Sequence, residues 1–415
     1  MKNTARILLL GRTGSGKSAF VNYFLGKDVA ASGIGMPVTT DDDNFREYEN
    51  NVAFSNEFNV SVCDTVGVQA DNSTEWKKNI IDTVSKRNSQ IDKFGKWFHT
   101  IFYVVSMGSA RFEDFEANLI CELSSTIHQT IHIILNQCDK SNPDKIDEME
   151  KYIHKKINDI SEGKKVVTEF RTYRVVSKSY EKLDGTHISA YGREEILKDV
   201  FGLLWKDISY RVASDYAMKI DELVPELNSM RMWYAKIAIK NIQKDYLNDT
   251  ITDSDYKKIG RECLEKCDKK AEIYVEKINA EFYEILKPIV SLYNAYRSTF
   301  TGRDPSYKFI SYIKDLYDIP KVSSEKFDFL TKLKKTDFYI AKSKLEEKNS
   351  SPNKFGRTFT KLRIFIDNPK KTMKKPFNKA LEECTVYCTK EWAFKKVNER
   401  LMGLLPPQDA HLVTA

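Results

Sequence analysis

The stretch Gly11, Arg12, Thr13, Gly14, Ser15, Gly16, Lys17, Ser18 constrains the fold of this 415-residue chain more than any other. It follows the apolar run Ile7–Leu10, which reads as a buried strand, and precedes Ala19–Leu25, which reads as the first turns of a helix. Its glycines let the backbone approach a bulky anion with no Cβ in the way. The helix start, Ala19 included, offers unpaired amides, and Lys17 adds an ammonium. This is a phosphate-binding loop, and the strand and helix around it separate it from a chance glycine-rich turn. Ser18 is placed to put its hydroxyl on Mg²⁺ beside a triphosphate.

Length implies two or three domains. With 41% hydrophobic and 30% charged residues, the chain can bury a sizeable core and still dissolve. No apolar run approaches the roughly 20 residues of a membrane span, and Ile7–Leu10 is too short for a signal peptide. An intracellular, cytoplasmic protein is expected, and seven cysteines without a dense framework agree with a reducing compartment. Residues 1–205 carry 26 Lys and Arg against 29 Asp and Glu, whereas residues 206–415 carry 40 against 30. The second half is the one suited to an anionic partner.

Further along, Gly33-Ile34-Gly35-Met36-Pro37-Val38-Thr39-Thr40 reads as a mobile loop that brings one threonine hydroxyl to Mg²⁺. Thr39 and Thr40 are both candidates, and an ordinary surface loop is the plainer alternative. Phe45–Phe54 and Phe58–Cys63 are expected strands. The second delivers Asp64-Thr65-Val66-Gly67, with Asp64 for the Mg²⁺ shell and the Gly67 amide for the γ-phosphate. Residues 70–97 suggest a switch region and a helix. Thr100–Ser106 reads as a strand covered on both faces, Ala110–Leu123 as a helix and Ile131–Leu135 as another buried strand. That strand leads into Asn136-Gln137-Cys138-Asp139. The Asp139 carboxylate can accept from guanine N1–H and the N2 amino group, a pair of donors that adenine cannot offer, and Asn136 can tie this loop to the phosphate loop. A charged helix over 145–161 and a strand over Arg171–Val176 follow. Ser177 and Lys178 then stand where a backbone amide can meet the guanine O6. Arg193–Trp205 is expected to close the domain. His128 and His132 read as structural.

Together these elements over residues 1–205 resemble the guanine-nucleotide-binding domain of the translation-factor-related P-loop GTPases. Pro37-Val38-Thr39 is similar to the Era-like and dynamin-like branches. The run from Ser109 to Glu116 is similar to bacterial relatives of those branches and, more loosely, to AIG1-type GTPases. The resemblance implies a mostly parallel sheet with helices on both faces, GTP or GDP with Mg²⁺, and slow hydrolysis. It assigns phosphate binding to Gly11–Ser18, Mg²⁺ to Ser18, Asp64 and Thr39 or Thr40, catalysis to Lys17, Thr39, Thr40 and Gly67, and base reading to Asn136, Gln137, Asp139, Ser177 and Lys178. Three positions depart from the pattern. Gln137 replaces a lysine whose stem covers the base. Val68 follows Gly67, so the water-orienting glutamine of Ras-like members is missing. Thr13 stands where dynamin-type enzymes carry glutamine. A partner, or pairing of two G domains, is expected to raise the rate. Arg12 is the candidate arginine for such pairing, against the plainer reading of a solvent-exposed side chain.

From Lys206 glycines become rare and apolar residues step by three and four, as at Val275, Ile278, Phe282, Ile285, Ile289 and Tyr293. An all-α region is expected: a helical domain or stalk over 206–350, with a bend near Pro225, then a basic segment and a helix over 351–415 packing on it. Cys263 with Cys267, and Cys384 with Cys388, could hold zinc but read more simply as small buried residues. Lys370, Lys371, Lys374, Lys375 and Lys379 around Phe377 suit an anionic membrane surface or RNA, or are a solvated loop.

Overall fold

The computed structural model describes residues 3–28, 38–39, 45–53, 58–65, 73–247, 253–302 and 390–404. Thr40, Gly67, the lysines at 370–379 and Cys384 and Cys388 lie outside them, as do the side chains of Thr39, Asp64, Cys263 and Cys267.

The elements in chain order are β1 (Asn3–Gly11), α1 (Lys17–Leu25), β2 (Val38–Thr39), β3 (Phe45–Ala53), β4 (Phe58–Thr65), α2 (Ser73–Asn88), β5 (Thr100–Ser106), α3 (Asp114–Ile127), β6 (Ile131–Asn136), α4 (Pro143–Lys164), β7 (Phe170–Val175), β8 (Tyr180–Glu181), β9 (His187–Ile188), α5 (Arg193–Leu247) and α6 (Asp253–Thr301). The described residues end with α7 (Lys390–Met402). Seven strands form one sheet in the order β2-β3-β4-β1-β5-β6-β7. The pairs from β4 through β7 are parallel, and β3 runs antiparallel between β2 and β4. Parallel strands covered on both faces read as near-continuous apolar runs, and β5 and β6 are buried throughout. The functional loops therefore leave the carboxyl ends of β1, β5 and β6, where a doubly wound sheet opens its crevice.

The described residues fall into two compact units. The first takes in those of Met1–Val212, Tyr283–Ile313 and Asn398–Ala415, the second those of Ala213–Phe282 and Lys314–Val397. The division between the units falls inside α5, after Val212. Ile208 and Val212 prolong the apolar face of α5 beyond Trp205, all fully buried, so nothing ends the helix there. It continues through Pro225 to Leu247 as one element. Leu286, and not Ile285, takes the buried place in the α6 stripe.

The late helices also complete the first unit. Phe300 stacks on Phe24 with centroids 5.7 Å apart, Tyr296 packs edge-on against Phe201 at 4.8 Å, and the Tyr296 hydroxyl meets Thr100 Oγ1 at 3.0 Å. Trp205 donates its indole N–H to the Leu401 carbonyl at 2.9 Å, and Tyr293 donates to that of Phe201 at the same distance. Such aromatic pairs contribute about 0.5–1.5 kcal/mol each beyond their buried area. In the second unit Tyr216 donates to Asn279 Oδ1 at 2.7 Å and packs on Phe282. No helix among the described residues is long and apolar enough to cross a membrane.

Candidate nucleotide site

The phosphate loop leaves β1 at Gly11, whose φ of 134° and contact with the Val104 carbonyl leave no room for a Cβ. It enters α1 through Gly16, in the left-handed region at φ 85°. A Cβ there would fall 2.5 Å from Asn136 Nδ2, so glycine is what lets the base loop approach. No side chain caps the start of α1, and the amides at a helix N-terminus suit an anion. Lys17 is buried, and its ammonium donates to the Gly11 and Arg12 carbonyls, each at 3.1 Å. Ser15 Oγ is buried with no hydrogen-bond partner. Ser18 is half-buried, whereas Thr13, Gly14 and Ala19 are exposed.

Arg12 is not the solvent-exposed side chain of the plainer sequence reading. Its Nε and Nη2 reach Glu116 Oε2 at 3.2 and 3.0 Å, Nη2 also meets Glu113 Oε1 at 2.8 Å, and the guanidinium lies 5.2 Å from the Phe115 ring centre. Burial pulls the Arg12 pKa down, but the bonds to these carboxylates more than offset it and raise it. Glu116 is itself buried. It accepts from the Tyr103 hydroxyl at 2.6 Å and from the Glu113 amide at 2.7 Å, closing a capping box at the start of α3. Burial and this carboxylate push the Tyr103 pKa far above its ordinary value. The phosphate loop is thus bolted to β5 and α3. Between them opens a cavity of about 420 Å³ lined by Arg12, Thr13, Ser15, Ser106, Ser109 and Arg111, among others.

On the metal side the structure gives backbone only for Thr39 and Asp64. Thr39 pairs with Arg46, and Asp64 lies between Leu9 and Arg46 at the end of β4. Thr65 Oγ1 donates to the Leu9 carbonyl at 3.0 Å and holds that end of β4 beside the phosphate loop.

The base loop follows β6. Asn136 Nδ2 donates to the Ser15 and Gly16 carbonyls, both at 3.2 Å, and its Oδ1 accepts from Ser177 Oγ at 2.6 Å. One buried amide therefore joins the phosphate loop, the base loop and the loop after β7. Gln137 takes the left-handed region at φ 63°, and its Oε1 accepts from Ser106 Oγ at 2.8 Å. Asp139 sits in the short turn Cys138–Lys140, and its Oδ2 accepts from the Tyr180 hydroxyl at 2.6 Å. Lys178 is exposed. His132 is buried in the sheet against Tyr173, and burial lowers its pKa to about 3, which suits a structural residue.

Sequence reasoning missed Glu113, Glu116, Tyr103, Ser106 and Tyr180. The capping-box spacing of Glu113 and Glu116 was a usable local signal. Their pairing with Arg12, about a hundred residues away in sequence, had none.

The AIG1 family matches residues 5–187. No curated protein matches the chain. Among solved structures, the chain is similar to Toc33 from Arabidopsis thaliana in complex with Mg²⁺ and GMPPNP, at 17% identity and a TM-score of 0.30, over 45% of this chain and 79% of that one. A second similar structure is one of the chloroplast translocon components atToc33 and psToc159, proteins for whose GTPase activity dimerisation is important. Here identity is 14% and the TM-score 0.32, over 49% of this chain and 84% of that one. A bacterial selenocysteine-specific elongation factor is similar at 13% identity and a TM-score of 0.29, over 49% of this chain and 29% of that one. The matched residues 5–187, less than half of the chain, span the seven-stranded sheet with its phosphate loop and are similar to the AIG1 family.

Proposed function

We propose that this chain binds GTP with Mg²⁺ and hydrolyses it to GDP and phosphate, using the nucleotide state to control its helical half. The observation that carries the reading is the Asn136 side chain, which fastens a loop built for phosphates to a loop whose Asp139 can read guanine. Lys17 and the backbone amides at the start of α1 bind the phosphates. The ammonium exchanges its two carbonyl contacts for phosphate oxygens, which hold it as charge-assisted bonds. Ser18, Asp64 and Thr39 or Thr40 are the residues that would hold Mg²⁺, which when bound neutralises charge on the β- and γ-phosphates. Water attacks the γ-phosphorus as its bond to the β–γ bridging oxygen breaks.

The Arg12 cage bears on rate. An arginine held by Glu113 and Glu116 is committed to the loop's own architecture, and Thr13 replaces the glutamine that would orient water. Intrinsic turnover should be slow, and a partner or paired G domains would raise it. The same observation favours a second reading, a GTP-dependent binding switch with negligible turnover that recruits a protein or ribosomal RNA. The net charge of residues 206–415 supports an anionic partner for the helical half, and a dynamin-like role of this cytoplasmic protein at membranes belongs to the proposal. Phosphate release from GTP with Mg²⁺, followed against protein concentration, tests the reading. Slow release that accelerates with concentration and vanishes in Lys17→Ala is expected. A high rate that stays flat down to nanomolar protein overturns pairing, and release equal in Lys17→Ala overturns the assignment.

A further inference from the structure

We propose that Tyr180 is a built-in cap on the base-reading carboxylate: its hydroxyl holds Asp139 Oδ2 at 2.6 Å and is displaced when guanine enters. The inference rests on the reading of Asp139 given above.

Tyr180 is placed by backbone structure. It opens β8, which pairs with β9 so that Tyr180 faces Ile188. The tip is closed by Lys182 N–H to the Thr186 carbonyl, and by the Thr186 amide to Asp184 Oδ1, both at 2.9 Å. At the neck, Val176 and Tyr191 form a two-way bridge, and Ser179 Oγ accepts from the Ala190 amide at 2.9 Å. A hairpin tied at both ends holds the phenol where it is, at the carboxylate.

The surroundings separate a cap from a brace. The brace in this site is Ser177, a half-buried hydroxyl holding the buried Asn136 amide. Tyr180 is 38% exposed, on the open rim. A phenol that donates to a carboxylate makes the bond that the guanine N1–H or amino group would make. Guanine binding must then exchange one charge-assisted bond for another, and the apparent affinity is reduced by the fraction of time the carboxylate is covered. The hydroxyl, not the ring, carries the effect, so Tyr180→Phe removes the cap and leaves the hairpin.

Stopped-flow binding of GDP labelled on its ribose, with Mg²⁺, reads this directly. In Tyr180→Phe the association rate should rise about two- to tenfold, the range for a hydrogen bond at a part-exposed charge. The dissociation rate should stay unchanged, and the melting temperature should fall by no more than about 3 °C, since only this one hydrogen bond is lost. Binding of ADP should not improve, because adenine has no bond to make with Asp139. An unchanged or slower association, or a faster dissociation, overturns the cap and makes Tyr180 a brace that stays on the second lone pair of the carboxylate. If neither the wild type nor Tyr180→Phe binds GDP, the base-reading assignment of Asp139 fails, and the cap fails with it.

Discussion

The two ends of the candidate site are built differently. At the phosphate end the working groups are buried or half-buried and held several times over: Lys17 by two carbonyls, and Arg12 by two carboxylates, one of which also holds Tyr103 and the start of α3. At the base end Asp139 is half-buried in a short turn and bonded to the hydroxyl of an exposed tyrosine. Under the proposed function, phosphate affinity is tied to the integrity of the scaffold, while base choice sits on a rim that can change without disturbing it. Lost contacts at the first end should cost folding as well as binding, and at the second binding alone.

The largest effect is expected for Lys17→Ala. Losing a buried ammonium from a phosphate site costs about 3–5 kcal/mol in comparable charge pairs, so GDP affinity measured by calorimetry should drop about a thousandfold. A loss below tenfold would place the phosphates elsewhere. Glu116→Ala tests the coupling of binding to fold. It leaves the Tyr103 hydroxyl, part of the Arg12 guanidinium and the Glu113 amide without their partner, and should destabilise the protein by about 3 kcal/mol. Urea denaturation with a shift under 0.5 kcal/mol would mean that the cage is ornamental. Asp139→Ala is the counterpart on the rim. It should erase the preference for GDP over ADP, about a hundredfold, because a site built to hydrogen-bond one base rejects another through the bond it cannot make. Stability should move by no more than about 1.5 kcal/mol, the worth of its one hydrogen bond to Tyr180, and a loss as large as that of Glu116→Ala would break the contrast.

The distinction between buried scaffold and rim also says where pH acts. Asp207 on α5 is buried and accepts from the Thr130 amide at 2.8 Å and its hydroxyl at 3.2 Å. Burial raises its pKa from 3.8 to about 7, and the Thr130 bonds oppose only part of the rise. The folded state thus holds this proton where the unfolded chain has released it. This contribution to stability is full at low pH, declines as pH rises from about 4 and is gone above about 7. Asp207→Asn should flatten the stability profile between pH 5 and 7 by about 1–2 kcal/mol. An unchanged slope in denaturation at several pH values would show that the carboxyl is ionised throughout.

The parts of this architecture that depend on neighbouring residues were legible in the sequence. The buried strands β5 and β6 announce themselves as continuous apolar runs, and the loops at their ends carry their chemistry in four to eight consecutive residues. The spacing of Asn136 and Asp139 behind a phosphate loop was enough to expect the two loops to meet, and Asn136 joins them. What failed was long-range. The apolar stripe of α6 shows that one face is buried but not what buries it, so the packing of Tyr296 and Phe300 on Phe24 and Phe201 went unforeseen, and with it the true extent of the first unit. Arg12 reads as exposed because polar loop residues usually are, and only the fold brings Glu113 and Glu116 to it. The family match falls on the AIG1 type, the looser of the two resemblances, carried by the run from Ser109 to Glu116 that contains this pair.

Calorimetric titration of the full chain with GDP and with ADP, each with Mg²⁺, tests the central claim most directly. The account predicts stoichiometric GDP binding at least about a hundredfold tighter than ADP. Equal affinity for the two, or no binding of either, would contradict it.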